Sequence, residues 1–263
     1  MTEQILYLPV SGLGVCLRTL RGKEDLLLSE ATVLNTRLAI ALLSGIVQSV
    51  DGSEIELEHL TITDLDTLLL LTRKALFGNL IRADATCPAE HCGARIEVAF
   101  EVENYLAHEQ PRKVRGVEPT DKIRWFQFQN LPISFRLPTG ADQIEIAYHP
   151  HPEDALIQRC VHPSDLPAKQ RKRVERTMEA MAPNLVQLLQ GQCAECGAVV
   201  EILFDPQQFV LQELQNQARF VYEEIHLLAM YYQWSEAEIL ALPRSRRMYY
   251  AERIRQAQKY ARN

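Results

Sequence analysis

No uninterrupted apolar stretch of this 263-residue chain approaches the ~18 residues a membrane-spanning helix requires, so no span is expected. The chain begins Met1-Thr-Glu-Gln, without a basic region leading into an apolar run, and no signal peptide is expected. It has no Gly-x-Ser-x-Gly elbow, no phosphate loop and no His-Glu-x-x-His pair. The glycines of Ser11-Gly12-Leu-Gly14 lack the remainder of a dinucleotide fingerprint and read as a hairpin turn. Asp64 and Asp66 resemble a catalytic carboxylate pair, but a place at the start of a helix accounts for both. No enzyme and no small-molecule substrate are expected.

Hydrophobic residues make up 47% of the chain, enough for a substantial core in two lobes. The net charge is −6, which argues against a general polyanion binder. The charge is unevenly spread. Between Arg244 and Asn263 seven basic residues face one acid, Glu252, so the last twenty residues carry +6 and the rest −12. This imbalance suggests a docking tail, with a solvated helix face as the plainer explanation. The run Lys169-Gln-Arg-Lys-Arg173 reads as a solvated face, and no aromatics interleave it as a nucleic-acid surface would require.

Four cysteines stand in two distant pairs, Cys87-Pro-Ala-Glu-His-Cys92-Gly93 and Cys193-Ala-Glu-Cys196-Gly197. Each pair precedes an alternating run, Ala94 to Phe100 and Ala198 to Phe204. A close pair on a tight turn that leads into a strand has the form of a zinc knuckle. Two knuckles supply the four thiolates of a closed tetrahedral site. The expected cofactor is therefore one structural Zn2+ held by Cys87, Cys92, Cys193 and Cys196. Four thiolates leave no open position for water, which argues against catalytic zinc. Paired cysteines without a secretory signal also favour metal over disulfide, because a reducing cytosol keeps thiols free. His91 could replace a neighbouring ligand, although an exposed loop histidine is the simpler reading. Cys16 and Cys160 read as buried core thiols.

An order of elements recurs around the pairs. A strand at Val15–Leu20, a turn at Gly22 and helices through Leu38–Val47 and Asp64–Phe77 lead to the first knuckle. A strand at Ile133–Leu137, a turn at Thr139–Asp142 and helices through Asp154–Val161 and Pro167–Leu189 lead to the second. The expected fold is α+β, with two pseudo-repeated lobes sharing the zinc and a C-terminal helical extension. The expected segments are an N-terminal lobe (1–107), a linker (108–130), a second lobe (131–208) and a helical docking region (209–263). The linker reading rests on the polar stretch His108–Lys122, which carries Pro111 and Pro119.

In the docking region, Leu211, Leu214, Ala218, Val221, Ile225, Leu228 and Tyr232 keep a 3-4-3-4-3-4 spacing, which predicts one long helix. Ser235 and Glu238 form a capping box, flanked by Trp234 and Ile239 as a hydrophobic staple. Pro243 opens a final basic helix. His226, beside the seam, reads as a packing or rim residue.

The chain resembles the baseplate hub assembly chaperones of T-even-type contractile phages and of related extracellular injection systems. The matching segments are Leu17-Arg-Thr-Leu-Arg-Gly22-Lys-Glu-Asp25, Leu65–Leu71 with Arg73 and Phe77-Gly78, the first cysteine pair, and Leu137-Pro-Thr-Gly-Ala-Asp142. They continue through the second pair, Phe204-Asp205-Pro206 and Phe209. The most specific lie at the end: Glu224-Ile-His226-Leu-Leu-Ala229, Tyr232-Gln-Trp234-Ser-Glu-Ala-Glu-Ile239-Leu, and Leu242-Pro-Arg-Ser-Arg-Arg247 through Tyr250. The family pattern places two residues between the first cysteines, where this chain has four.

The resemblance implies a non-enzymatic role beside baseplate hub, wedge or tail proteins, with no nucleic acid involved. The protein would be cytoplasmic during assembly, or retained in the virion or injection-particle baseplate. The expected partner surface comprises Trp234, Ile239, Leu242, Arg244, Arg246, Arg247 and Tyr250. The competing expectation is a zinc-ribbon nucleic-acid binder that uses the basic C-terminal helix.

Overall fold

The computed structural model describes residues 5–261. Its elements run in the order β1 (Leu6–Tyr7), β2 (Gly14–Leu17), α1 (Gly22–Glu30), α2 (Thr36–Ile46), β3 (Val47–Ser49), α3 (Ile62–Phe77), β4 (Leu80–Thr86), β5 (Arg95–Glu101) and α4 (Val102–His108). They continue as β6 (Val117–Pro119), β7 (Trp125–Phe128), β8 (Ser134–Arg136), α5 (Gly140–Ile146), α6 (Pro152–Cys160), β9 (Val161–His162), α7 (Ala168–Met181), β10 (Gln187–Gln192) and β11 (Val199–Phe204). The C-terminal helices are α8 (Pro206–Ala218), α9 (Val221–Tyr232), α10 (Glu236–Ala241) and α11 (Arg244–Ala261). The architecture is α+β, with small antiparallel sheets.

The order strand, helix, helix, strand, helix, hairpin, helix occurs twice, from β2 to α4 and from β8 to α8. The first helix of each run opens alike. Arg18 grips Glu24 with its two terminal guanidinium nitrogens, and Glu24 accepts from the Arg21 N–H. Arg136 likewise grips Asp142, which accepts from the Thr139 N–H. An arginine at the strand end thus fixes the carboxylate that caps the helix three residues past its N-cap. Asp142 is also held by Arg159. Burial opposes its ionisation, but the two guanidinium groups outweigh that and hold its carboxyl well below the usual range.

The compact units are built from non-contiguous segments and do not follow the two runs. One comprises Gly14–Ile55 and Gln208 onward, the other Tyr7–Leu13 and Glu56–Gln207. In the first, β2 and β3 pair antiparallel across the α1–α2 connection. Helix α1 packs on α9, α10 and α11. A Cβ on Gly22 would lie 2.7 Å from Leu240 Cα, so the start of α1 admits α10 only as glycine.

In the second unit, β6–β9 form a four-stranded sheet over a core that includes Phe128, Phe135, Ile157, Val174 and Met178. Helix α3 is capped by Thr61, whose side chain accepts from the Asp64 N–H, and buries Leu65, Leu68, Leu69 and Leu70 completely.

Several expectations are corrected. The segment read as a linker carries β6 and β7, which pair with each other and, through β7, with β8. The helix expected through Leu189 ends at Met181, and β10 follows. The seam expected as one long helix breaks at Arg219-Phe220 into α8 and α9. Its register survives the break, because Ala218 and Val221 keep their spacing and both stay buried. Asp64 stands in the first turn of α3, as expected, and its carboxylate also accepts from the Val10 and Ser11 N–H groups at 2.9 and 3.0 Å, whereas Asp66 lies beyond that turn. Cys160 is fully buried, whereas Cys16 is half-buried.

Candidate metal centre

Both cysteine pairs sit on the turns of antiparallel hairpins, β4–β5 and β10–β11, within the Glu56–Gln207 segment. Of the strands entering each turn, β4 carries a signal that could have found it, since Ile81, Ala83 and Ala85 alternate with Arg82, Asp84 and Thr86. Gln187–Gln192 carries little apolar alternation, and the partner strand supplies the order of β10. Register places Thr86 opposite Arg95 and Gln192 opposite Val199, so each hairpin closes just outside its cysteines. The closing bonds match: Cys87 N–H donates to the Ala94 carbonyl and Cys193 N–H to the Ala198 carbonyl, both at 2.9 Å.

Gly93 and Gly197 turn the chain back with φ of +59° and +72°. This left-handed region penalises any residue with a Cβ. Nothing lies within 4 Å of a Cβ built at either position, so backbone conformation alone demands glycine there.

The four sulfurs converge. Cys87 Sγ lies 3.6 Å from Cys196 Sγ, Cys92 Sγ lies 3.7 Å from Cys193 Sγ, and all four lie within 4.8 Å of one another. A disulfide needs about 2.05 Å, and all four cysteines are free. The cluster is compatible with binding one metal ion. The two extra residues of the first turn do not prevent Cys92 from reaching it. A shell of Ala85, Ala94, Ile96, Ala198, Val200 and Ile202 packs beside the sulfurs. His91 points to solvent.

The thiols are electrostatically unequal. The backbone N–H groups of Cys196 and Glu195 aim at Cys193 and bring its thiol down to about 7. At Cys87 the Ala89 N–H also favours the thiolate, but burial and the neighbouring sulfurs outweigh it and push that thiol up to about 12. A bound cation would remove this crowding by stabilising all four thiolates together.

The hairpins also meet at their far ends. Phe100, closing β5, and Phe204, closing β11, contact edge to face at 4.9 Å. Tyr105 packs on both rings and donates its hydroxyl to the Leu185 carbonyl.

The residues expected to form a partner surface divide sharply. Ile239 is fully buried with Leu228 and Ile254. Arg247 is 1% exposed and bonds Glu224 and Asp25, while Arg244 bonds Asp25. These three hold their unit together instead of facing outward. Their acidic partners were not foreseeable, because Asp25 lies 219 residues before Arg244. Trp234, Leu242 and Tyr250 are half-buried and Arg246 is exposed. Trp234 stacks on Tyr232 at 5.0 Å and meets Tyr250 edge to face. The Ser235–Glu238 capping box forms as expected. His226 is exposed, and the Lys169–Arg173 run lies mainly at the surface, with Arg171 bonding Asp154 and Glu175.

Among the described residues no helix is long and apolar enough to cross a membrane. No family model, curated protein or solved structure matches the chain.

Proposed function

We propose that the chain is a non-enzymatic component or assembly factor of the baseplate of a contractile phage tail or related injection system. In this reading one structural zinc holds it rigid, and its partners are hub, wedge or tail proteins. It works in the cytoplasm during assembly or stays in the finished particle. The family assignment rests on the sequence resemblance. The interaction role is carried by one observation: Met230, Tyr231, Tyr232, Met248 and Tyr249 are exposed on α9 and α11, helices whose other faces are fixed by buried ion pairs. Methionine and tyrosine on a rigid support have the composition of an interface core.

Zinc is the preferred metal. A tetrahedron with Zn–S bonds of about 2.3 Å has edges of about 3.8 Å, near the 3.6 and 3.7 Å between sulfurs. Four thiolates also make a closed, non-catalytic site. The twice-occurring order of elements is read as an internal duplication, with one knuckle from each copy. The nucleic-acid reading is weakened because Arg244 and Arg247 are engaged internally and Arg255 pairs with Glu223 and Glu252.

The test is quantitative mass spectrometry of purified contractile particles from the source, alongside a deletion strain. A fixed ratio to known baseplate subunits supports a resident component. Absence from particles with failed assembly supports a transient factor. Absence with normal assembly overturns the proposal. Deleting 209–263 would remove most of one compact unit, so surface variants such as Tyr249→Asp are the sounder probe of partner binding.

A further inference from the structure

A cavity of about 570 Å³ in the second unit lies among α3, α5, α6 and α7 and belongs to no part of the candidate metal centre. Its volume is in the range of small-ligand sites. Five carboxyl-bearing residues line it: Asp66, Asp205, Glu153, Glu175 and Glu179. No lysine, arginine or histidine is among its described lining residues. Apolar walls come from Ile146, Leu156, Ile157, Met178 and Val186.

The acids are graded in depth. Glu153, Glu175 and Glu179 are exposed, Asp205 is half-buried, and Asp66 is 2% exposed. Two rim acids already have partners, since Glu175 pairs with Arg171 and Glu179 accepts from the Asn184 N–H. Asp66 differs: its Oδ1 is buried and makes no hydrogen bond within the protein. The buried Gln143 Oε1 is in the same condition and lines the same cavity.

Leaving a buried acceptor unsatisfied costs about 1–3 kcal/mol, and more where the group is charged. Helix α3 could have carried a leucine at position 66, as it does on either side at Leu65 and Leu68. An unpaired carboxylate there is therefore an investment that folding alone does not repay. Burial, reinforced by nearby Asp205, pushes the Asp66 carboxyl up to about 8, so near neutrality it is poised to ionise when a cation approaches.

We propose that this cavity binds a positively charged nitrogen on a short apolar stem, an alkylammonium or alkylguanidinium group. The cation lies against Asp66, its N–H groups donate to Asp66 Oδ1 and Gln143 Oε1, and its stem packs on Ile157 and Met178. The rim glutamates raise the local concentration of cations at the mouth. A neutral ligand would gain the apolar contact but would not draw the proton from Asp66, so the charge-assisted bond would not form. The same chemistry can come from a small organic amine or from a lysine or arginine side chain of a partner. This assignment is independent of the baseplate reading.

The test is calorimetric titration of the full, metal-loaded chain with n-butylguanidinium, with neutral n-butylurea, and with an N-acetylated, C-amidated tripeptide centred on arginine. The expected result is saturable butylguanidinium binding and at least tenfold weaker butylurea binding, because the urea carries no charge to make the charge-assisted bond. Asp66→Asn should lose butylguanidinium binding by a similar factor while remaining folded. The more exposed Asp205→Asn should lose less. Tighter binding of the tripeptide than of butylguanidinium assigns the site to a partner's side chain, and the reverse assigns it to a small amine. Equal binding of the guanidinium and the urea, undiminished binding to Asp66→Asn, or no saturable binding would each overturn the proposal.

Discussion

Cys92 Sγ lies 3.7 Å from Cys193 Sγ, although 101 residues separate them along the chain. Two hairpins with matching closing bonds and matching left-handed glycines bring these atoms together. Without a cation, four thiols so close are crowded. With one, four thiolates share a positive centre, and the metal's binding energy becomes folding energy. Replacing Cys193 and Cys196 by Ser should reduce bound metal from one ion per chain to none and lower the melting temperature. Elemental analysis with calorimetry reads both effects. A chain that keeps its melting temperature both as this variant and in excess chelator would exclude a structural metal.

Gly197 isolates the backbone contribution to the same site. Its φ of +72° penalises a Cβ, while the surrounding space is open. Gly197→Ala should therefore cost about 1–2 kcal/mol, with metal stoichiometry retained. Gly197→Asn should cost less, because asparagine tolerates the left-handed region. Equal losses for the two variants in urea unfolding would show that side-chain bulk, not φ, decides this position.

Asp25 is fully buried and receives both Arg244 and Arg247. Asp25→Ala would leave Arg244 without its counter-charge and Arg247 with Glu224 alone, and should cost about 3–5 kcal/mol. The exposed Arg171–Asp154 pair provides the contrast, since Asp154→Ala should cost less than about 1 kcal/mol. Chemical unfolding of the two variants would measure the ratio, and comparable values would refute the assigned role of the buried cluster.

Asp66 should shape the dependence of stability on pH. Its native carboxyl, raised to about 8 by burial and by Asp205, holds its proton where the unfolded chain, near pH 4, has released it. Its stabilising contribution is thus full below about pH 4 and is lost as pH rises to about 8. Asp66→Asn removes this loss. The wild-type chain should lose a few kcal/mol more than the variant between pH 5 and 8.5, as measured by urea unfolding at both values. Parallel profiles would exclude the buried, protonated carboxyl.

A close approach governs Gly22. A Cβ there would fall 2.7 Å from Leu240 Cα and 2.8 Å from Arg247 Nη1. Gly22→Ala must push α10 away, and should cost about 1–3 kcal/mol as overpacking does. A gain in stability, as expected for alanine in an unhindered helix, would show that α10 gives way freely.

The four-cysteine cluster was legible in the sequence because its information is local. Two close cysteine pairs, each followed by a glycine and an alternating run, state both the turn and the ligand chemistry. The Ser235–Glu238 capping box was legible for the same reason. The strand β10 was not, because Gln187–Gln192 lacks alternation and becomes a strand only against Val199–Phe204. The break at Arg219-Phe220 was also hidden, since it preserves the spacing of the apolar seam.

Sequence alone determined the α+β class, the four candidate ligands and the starts of α7, α10 and α11, since these follow from periodicity, capping chemistry and turn residues within a few positions of one another. Tertiary structure alone decided that residues 208 onward form a unit with Gly14–Ile55, and that Arg244 and Arg247 face inward to Asp25. It also decided that Asp66 lies unpaired beside a cavity. A basic residue on a helix reads the same in sequence whether it meets water or an aspartate 219 positions away. Its role is settled only when the chain folds and burial forces each charge to find a partner.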